Sequence, residues 1–305
     1  MKFSVSLVSF SLVVAGLVEA AHISNLQHLK AAQKVGLRRR GGPSATYPGT
    51  VTATATTSSA APSSTPTNGS SSPLPGGIKR GLSFNDASLT EQFTSSQVSW
   101  AYNWGQTYSG SIPEGAMFIP MLWGDSSSFT STWSANAQAA INNGSKVLFS
   151  FNEPDDSSQA NMTPQEAASA WMQYMEPFAG KATLVSPAVT NGGAPMGETW
   201  LDQFVSACSG CTIDAFAMHI YDSATNEAYY QSYISGFVQK YGKPVWVTEF
   251  GATGNSSQVQ TFLSSMVSYL DNLDGLAAYA WFMDEVGNLV NSDGSLTSLA
   301  EAYVA

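Results

Sequence analysis

Residues 146–155 read Lys-Val-Leu-Phe-Ser-Phe-Asn-Glu-Pro-Asp, an apolar run that ends in an asparagine and a glutamate. Residues 244–251 read Pro-Val-Trp-Val-Thr-Glu-Phe-Gly and have the same form. Both runs are apolar at successive positions rather than at alternating ones, as strands buried on both faces are. The two stretches therefore predict buried parallel strands, each of which carries a glutamate at its carboxyl end.

Six further short runs of apolar, β-branched or aromatic residues have the same character. The eight predicted strands cover residues 81–85, 98–104, 117–123, 146–151, 183–189, 215–221, 244–250 and 276–282. Helical patterns alternate with them, which indicates a parallel sheet. Eight such units predict an α/β fold, a (β/α)8 TIM barrel, with an open doubly wound sheet as the alternative.

The helical patterns carry recognisable start signals. Thr163 and Glu166 have the spacing of a capping box, and Pro164 occupies the first helical position. The first two connections, residues 86–97 and 105–116, are short, so we expect loops there with only a turn or two of helix.

The first 80 residues differ in composition from the rest of the chain. Residues 1–20 hold an apolar run with a small-residue exit, which predicts a signal peptide and therefore a secreted protein of the extracellular space or cell wall. Residues 21–80 predict either a propeptide, cut at the dibasic pair of residues 79–80, or a disordered linker rich in Ser, Thr, Pro and Gly. Residues 81–305 then form one catalytic domain of barrel size.

The charge of residues 81–305 restricts the molecules that this region can bind. This region has four lysines, no arginine and 21 acidic residues, which gives a formal net charge of −17. Such a balance repels nucleic acid, and no later segment is apolar enough for membrane insertion. Without arginine the usual clamp for phosphate or carboxylate ligands is missing, so we expect a neutral ligand. We also expect a monomeric protein.

Composition also favours a carbohydrate. All eight tryptophans lie after residue 80, and indole faces stack on sugar rings, although for any one of them burial in the core is an equal alternative. Asn68, Asn143, Asn161 and Asn255 are glycosylation acceptors, in agreement with secretion.

The two cysteines, Cys208 and Cys211, have the C-x-x-C spacing. In an oxidising compartment this spacing predicts a local disulfide. With one histidine in the domain, a zinc site lacks ligands, so we expect no metal and no cofactor.

The two glutamates, taken together, indicate a type of reaction. Strand ends of a barrel meet at one rim, so Glu153 and Glu249 would face the same opening. Cleavage of a glycosidic bond needs one carboxylic acid to protonate the leaving oxygen and one carboxylate to attack or to activate water. Either glutamate alone would more often be a solvated loop carboxylate, but their shared context favours a catalytic pair.

Several blocks, in order along the whole domain, resemble glycoside hydrolase family 128, the β-1,3-glucanases that include fungal alkali-sensitive linkage-like proteins. Two blocks resemble sequences of the wider clan of retaining (β/α)8 hydrolases: Asn152-Glu153-Pro154 and Thr248-Glu249-Phe250-Gly251. One block resembles sequences of family 128 in particular: Pro120-Met121-Leu122-Trp123-Gly124. The remaining blocks are residues 81–85, 100–104, 219–221 and 280–282.

This resemblance implies roles for particular residues. Glu153 would be the general acid/base and Glu249 the nucleophile of a double displacement on β-1,3-glucan or its oligosaccharides, with carboxyl groups about 5 to 5.5 Å apart. Asn152 would contact the sugar 2-hydroxyl, and His219 or Tyr221 would hydrogen-bond to Glu249. A histidine at this place can equally be a satisfied rim residue. Four aromatic residues at strand ends are candidates for sugar stacking: Tyr102, Trp104, Trp123 and Trp281.

Other functions remain open at this stage. The paired glutamates alone do not choose a linkage, so a β-1,4-mannanase or a cellulase is an alternative. A non-catalytic cell-wall protein that binds glucan is another. A serine hydrolase is disfavoured because no G-x-S-x-G elbow precedes a helix.

Overall fold

Eight strands, all parallel to their neighbours, form one curled sheet in the part of the chain that the computed structural model describes, residues 73–305. The strands are β1 (Arg80–Phe84), β2 (Trp100–Tyr102), β3 (Met117–Phe118), β4 (Val147–Phe149), β5 (Thr183–Val189), β6 (Ala215–Ser223), β7 (Val245–Thr253) and β8 (Leu276–Asp284). Their order in the sheet is β3-β2-β1-β8-β7-β6-β5-β4. This arrangement confirms the predicted barrel class, whereas the predicted signal peptide and most of residues 21–80 lie outside the described residues.

The two ends of the sheet, β3 and β4, meet and close the barrel. A bridge joins Met121 to Phe149, and the Phe149 amide donates to the Pro120 carbonyl at 3.0 Å. Pro120 has no N–H to donate, which ends the regular pairing of β3 at Phe118 instead of the predicted residue 123.

Within residues 73–305, six α-helices cover the outside of the barrel. They are α1 (Ser127–Asn142), α2 (Pro164–Ala170), α3 (Glu198–Ala207), α4 (Glu227–Tyr241), α5 (Ser256–Asn272) and α6 (Ser298–Val304). The capping box of Thr163 and Glu166 is present at the start of α2, which continues through a π-helical turn and a 3-10 turn to Phe178. The first connection holds only a 3-10 helix, Ala87–Gln92, and the second holds no helix, as predicted.

The described residues 73–305 contain no helix of the length and apolar character needed to span a membrane.

The interior of the barrel is filled by large and small side chains that complement one another. Trp100, Phe149 and Trp246 pack edge to face at centroid distances of 5.3–5.8 Å. Alanines and other side chains fill the remaining space of this inner cluster: Leu74, Tyr102, Met117, Ile119, Met121, Val147, Val185, Ala188, Ala215, Ala217, Ala278 and Ala280. Gly81 is required beside them, because a Cβ at this position would lie 2.1 Å from the Trp100 ring.

Burial separates the tryptophans into two groups. Six of the eight are buried, and only Trp104 and Trp123 keep intermediate exposure. These two indoles pack against the inner cluster. The core alternative therefore holds for most tryptophans, and a ligand at the barrel mouth can reach Trp104 and Trp123.

Strand β7 contains a bulge at the point where it carries its glutamate. Met218 pairs with Val247, but the next residue of β6, His219, pairs with Glu249, so Thr248 is an extra residue. The register against β8 shifts over the same stretch. Bulges of this kind re-aim side chains near active sites. Because β7 continues to Thr253, Glu249 lies inside the strand rather than at its end.

The residues just before β1 belong to the folded structure. Leu74 is 5% exposed and packs in the inner cluster. Lys79 donates to the Leu273 carbonyl at 2.9 Å, and Arg80 begins β1 and pairs with Asp271 at 3.2 Å. The folded region therefore extends to the N-terminal side of residue 81, and removal of residues 21–80 stays a prediction.

We expect a chain that begins at residue 81 to be less stable than one that begins at residue 73. The shorter chain loses the buried Leu74 and the ion pair of Arg80, which together contribute about 3 kcal/mol. Urea unfolding of the two chains measures the difference. In the longer chain Leu74→Ala should reproduce most of the loss, while Val286→Ala, at a side chain that is 53% exposed, should not. Equal stability of the two chains would contradict this prediction.

A second buried feature lies at the end of β8. Asp284 is 1% exposed, and neither of its carboxylate oxygens has a hydrogen-bond partner among residues 73–305. Burial raises the pKa of Asp284 from 3.8 to about 7, and the charges of Asp86 and Glu285 add to the increase. The folded protein therefore favours the protonated form of this side chain.

The stability of the fold should decrease between about pH 4 and pH 7 because of Asp284. A group whose pKa is higher in the folded than in the unfolded chain stabilises the fold below the unfolded value, and this contribution is lost as the pH rises through the folded value. The difference between 3.8 and about 7 corresponds to roughly 4 kcal/mol at most.

Urea unfolding at pH 5 and pH 8 tests this expectation. The stability lost between these pH values should be smaller in Asp284→Asn than in the wild type. Asp125→Asn, at an exposed position, is the matched control and should behave as the wild type. The same pH dependence in all three proteins would show that Asp284 does not titrate in this range.

Candidate active site

The loop after β4 holds Glu153 in an unusual backbone conformation. Its φ of +43° lies in the left-handed region, which non-glycine residues rarely adopt. Backbone hydrogen bonds fix the loop, since Glu153 donates to the Ala188 carbonyl at 2.8 Å and Asn152 donates to the Trp123 carbonyl at 2.9 Å. Strained residues of this kind concentrate at functional sites, where the surrounding structure keeps them in place.

Asp155 ties this loop to the loop after β5. Its carboxylate accepts hydrogen bonds from the Thr190 hydroxyl at 2.6 Å and from the Gly197 amide at 2.8 Å. The Thr190 amide N–H also donates to the Asp155 carboxylate at 3.2 Å. These bonds link two neighbouring loops and so stabilise the position of Glu153, two residues away.

Glu249 points into the mouth of the barrel and receives several donors. Tyr221 donates its hydroxyl to Oε2 at 2.6 Å, and the Trp104 indole N–H donates to Oε1 at 2.8 Å. Tyr102 adds a longer contact to Oε1 at 3.5 Å. These donors fix the orientation of the Glu249 carboxylate at the mouth of the barrel.

His219, on β6, lies between the two glutamates. Its Nδ1 is 2.8 Å from Glu153 Oε1 and 3.5 Å from Glu249 Oε2. One carboxylate oxygen of each glutamate and this nitrogen all lie within 4.8 Å of one another. All three side chains are buried.

Burial and nearby charges together determine the protonation of the side chains around Glu249. Burial acts to lower the pKa of His219, but the charges of Glu249, Glu153 and Asp155 raise it above its ordinary value. Burial and Glu249 raise the pKa values of Tyr102 and Tyr221 well above their usual range. Both tyrosines therefore stay protonated and act as donors.

The remaining predicted site residues fall in different places. Asn152 is 2% exposed, and its Oδ1 has no hydrogen-bond partner within residues 73–305. Trp104 and Trp123 lie at the barrel mouth with partial exposure. Tyr102 is fully buried, so its ring has no free face for a sugar, and it contacts Glu249 instead.

Trp281 is not brought to the site. It packs against Phe250 and Phe262 in the outer core, and its indole N–H donates to Asn288. Only 3% of its surface is exposed, because its side chain points outward from β8 toward the helices. The expectation that it stacks on a sugar has no support in this placement.

Two residues of the site were not assigned a role from the sequence. Asp155 stands in the block Asn152-Glu153-Pro154-Asp155, whose second acidic residue was a visible signal. Thr248 precedes Glu249, and its hydroxyl lies 2.9 Å from His219 Nε2. The Thr248 side chain points inward because of the bulge in β7, and no pattern of the sequence predicts this bulge.

The two cysteines lie away from this cluster. Cys208 and Cys211 are joined by a disulfide at the end of α3, on the outer layer of the fold. Cys208 packs in the outer core, so the link belongs to the helical layer rather than to the site.

The arrangement of the carboxyl groups defines the chemistry that it allows. Pairs about 5 to 5.5 Å apart allow direct attack by one carboxylate, whereas pairs about 6.5 to 9.5 Å apart leave room for a water molecule. One oxygen of Glu153 and one oxygen of Glu249 lie within 4.8 Å of each other, which is closer than the second geometry requires.

Known proteins share this fold and sequence. A sequence profile described as glycosyl hydrolase catalytic core matches residues 81–303. Alkali-sensitive linkage protein 1 of Schizosaccharomyces pombe is 31% identical over 250 residues, which cover 74% of this chain and 44% of that protein. The chain thus matches less than half the length of this relative.

Solved structures of family 128 are also similar. A curdlan-specific exo-β-1,3-glucanase of Blastomyces gilchristii, in complex with glucose, is 42% identical with a TM-score of 0.70, over 75% of this chain and 99% of that chain. An endo-β-1,3-glucanase of Amycolatopsis mediterranei, in complex with laminaritriose, is 29% identical with a TM-score of 0.62, over 74% and 98%. These matches confirm the resemblance to glycoside hydrolase family 128. The chain therefore belongs to the glycosyl hydrolase catalytic core family.

Proposed function

We propose that this chain is a secreted, monomeric retaining β-1,3-glucanase that uses Glu153 as acid/base and Glu249 as nucleophile. The observation that carries the proposal is the close pair of buried glutamates on either side of His219. The substrate class rests on the family 128 relatives, whose names give β-1,3-glucan cleavage and, in several cases, bound laminari-oligosaccharides.

In the first step, the Glu249 carboxylate attacks the anomeric carbon and forms a covalent glycosyl ester. Glu153 donates its proton to the glycosidic oxygen, which leaves as the hydroxyl of the departing sugar. The C–O bond to the leaving sugar breaks as the bond to Glu249 forms. Tyr221 and Trp104 hold the attacking carboxylate in place through their bonds of 2.6 and 2.8 Å.

This step moves negative charge from Glu249 to Glu153. His219 Nδ1 is within 3.5 Å of an oxygen of both side chains, so one N–H group faces the charge before and after the step. A donor that is already in place lowers the cost of reorganisation during the reaction.

In the second step, water enters after the first sugar has left. Glu153 removes a proton from this water, whose oxygen attacks the anomeric carbon and releases Glu249. Two displacements at the same carbon restore the original configuration. The site thus returns to its starting protonation state.

The sugar itself meets polar and aromatic groups at the mouth of the barrel. The buried Asn152 Oδ1 lacks a partner among the described residues and can accept a hydrogen bond from the sugar 2-hydroxyl. The partly exposed indoles of Trp104 and Trp123 can stack on sugar faces. A neutral glucan also agrees with a domain of strong negative charge.

Loss of either glutamate should abolish cleavage of laminarin. We expect Glu249→Gln and Glu153→Gln to reduce kcat by about 10³-fold or more, because neither amide can attack or transfer a proton as the carboxyl groups do. Release of reducing ends from laminarin measures the effect, with cellulose and mannan as substrates that test the linkage. Glu91→Gln, at an exposed position, is the matched control and should keep full activity. Equal activity of Glu249→Gln and the wild type would dismiss the assignment.

The configuration of the first product tests the double displacement separately. Proton NMR of a fresh laminarin digest should show the β-anomer of the new reducing end before mutarotation. Glu249→Ala with added azide should regain turnover and form a glycosyl azide of inverted, α-configuration. An α-anomer as the first product of the wild type would contradict retention.

A further inference from the structure

Thr248 is the extra residue of the β7 bulge, and its side chain turns toward His219. It is 1% exposed, and its hydroxyl oxygen lies 2.9 Å from His219 Nε2. The opposite ring nitrogen, Nδ1, faces Glu153 and Glu249. Both nitrogens of a fully buried imidazole are therefore engaged.

Hydrogen-bond chemistry restricts the form of this imidazole. An ionised carboxylate only accepts hydrogen bonds, so Nδ1 must carry a proton wherever it hydrogen-bonds to the ionised member of the glutamate pair. A second proton on Nε2 makes the ring an imidazolium, and its N–H then needs an acceptor. The Thr248 hydroxyl oxygen, 2.9 Å from Nε2, lies where that acceptor is needed, whereas beside a neutral ring the same hydroxyl would donate to Nε2.

The charges around the ring favour the imidazolium. Glu153 faces it from the loop after β4, Glu249 faces it from β7, and Asp155 lies further away on the β4 loop. Tyr221 on β6 donates its hydroxyl to Glu249, and the Tyr102 hydroxyl on β2 lies 3.1 Å from the Thr248 carbonyl and 3.5 Å from Glu249; both tyrosines stay uncharged. Burial opposes the charge, yet the pKa of His219 is raised overall.

We propose that Thr248 is a positioning residue that holds His219 as an imidazolium between the two carboxyl groups by accepting the Nε2–H bond. The proposal deepens the proposed function and rests on it for its catalytic meaning. During the first displacement the negative charge passes from Glu249 to Glu153, and a positive ring held between them stays close to this charge throughout.

Removal of the acceptor should weaken the charged form more than the neutral one. Hydrogen bonds to charged groups are about twice as strong as hydrogen bonds between neutral groups. Thr248→Val keeps the β-branched shape but removes the hydroxyl. We therefore expect the acid dissociation constant of His219 to increase about three- to tenfold in this variant.

Nitrogen-15 NMR of histidine-labelled protein gives a direct readout. The full chain has three histidines, so His22→Gln and His28→Gln leave His219 as the only one. In this background both ring nitrogens of His219 should be protonated at pH 6, and Thr248→Val should shift the titration to lower pH. Thr248→Ser should titrate like the parent protein, because serine keeps the acceptor. Thr248→Ala removes the acceptor with less steric demand and serves if the valine variant does not fold.

The outcomes separate this inference from the proposed function. A neutral ring in the parent protein at pH 6, or an unchanged titration in folded Thr248→Val and Thr248→Ala, overturns the role of Thr248. Glucanase activity is not needed for this measurement. An inactive wild type with the expected titrations would therefore refute the proposed function and leave the Thr248–His219 link intact.

Discussion

The contact of His219 with two buried glutamates is the constraint on which the site depends. Two carboxylates this close repel each other strongly where water is excluded, and a single negative charge there already needs a compensating group. The His219 imidazole is this compensating group. It lies between the two side chains, with Nδ1 2.8 Å from Glu153 Oε1 and 3.5 Å from Glu249 Oε2. Tyrosine and tryptophan donors then stabilise one member of the pair more than the other. Such asymmetry lets two chemically identical side chains take different roles.

The barrel provides this arrangement by departing from regular structure at selected places. The β7 bulge turns both Thr248 and Glu249 toward the mouth. On the other side, Glu153 sits in a left-handed conformation that the bonds of Asp155 and Ala188 maintain. The regular lower part of the barrel, packed around Trp100 and Trp246, gives these strained segments a rigid support. Stability and function are therefore divided between the two ends of the same strands.

Much of the architecture could be predicted from the sequence because it depends on local pattern. The eight apolar runs identified every strand of residues 73–305, and β5 has the predicted bounds. The two glutamates were found because each follows an apolar run of the kind that forms a buried strand. The apolar pattern could not show that β7 continues beyond Glu249 to Thr253. A bulge changes the direction in which side chains point without changing the composition of the strand. For the same reason, strand position alone could not distinguish Tyr102, inside the barrel, from Trp281, outside it.

Leu74 closes the end of the barrel opposite the carboxylates, among the side chains of the inner cluster. The polypeptide therefore enters the domain at its base, and the rim that carries Glu153 and Glu249 lies at the opposite end of the barrel. An attachment made through the residues before 73 would hold the domain by this base. The open mouth would then point away from the point of attachment, toward whatever polymer surrounds it.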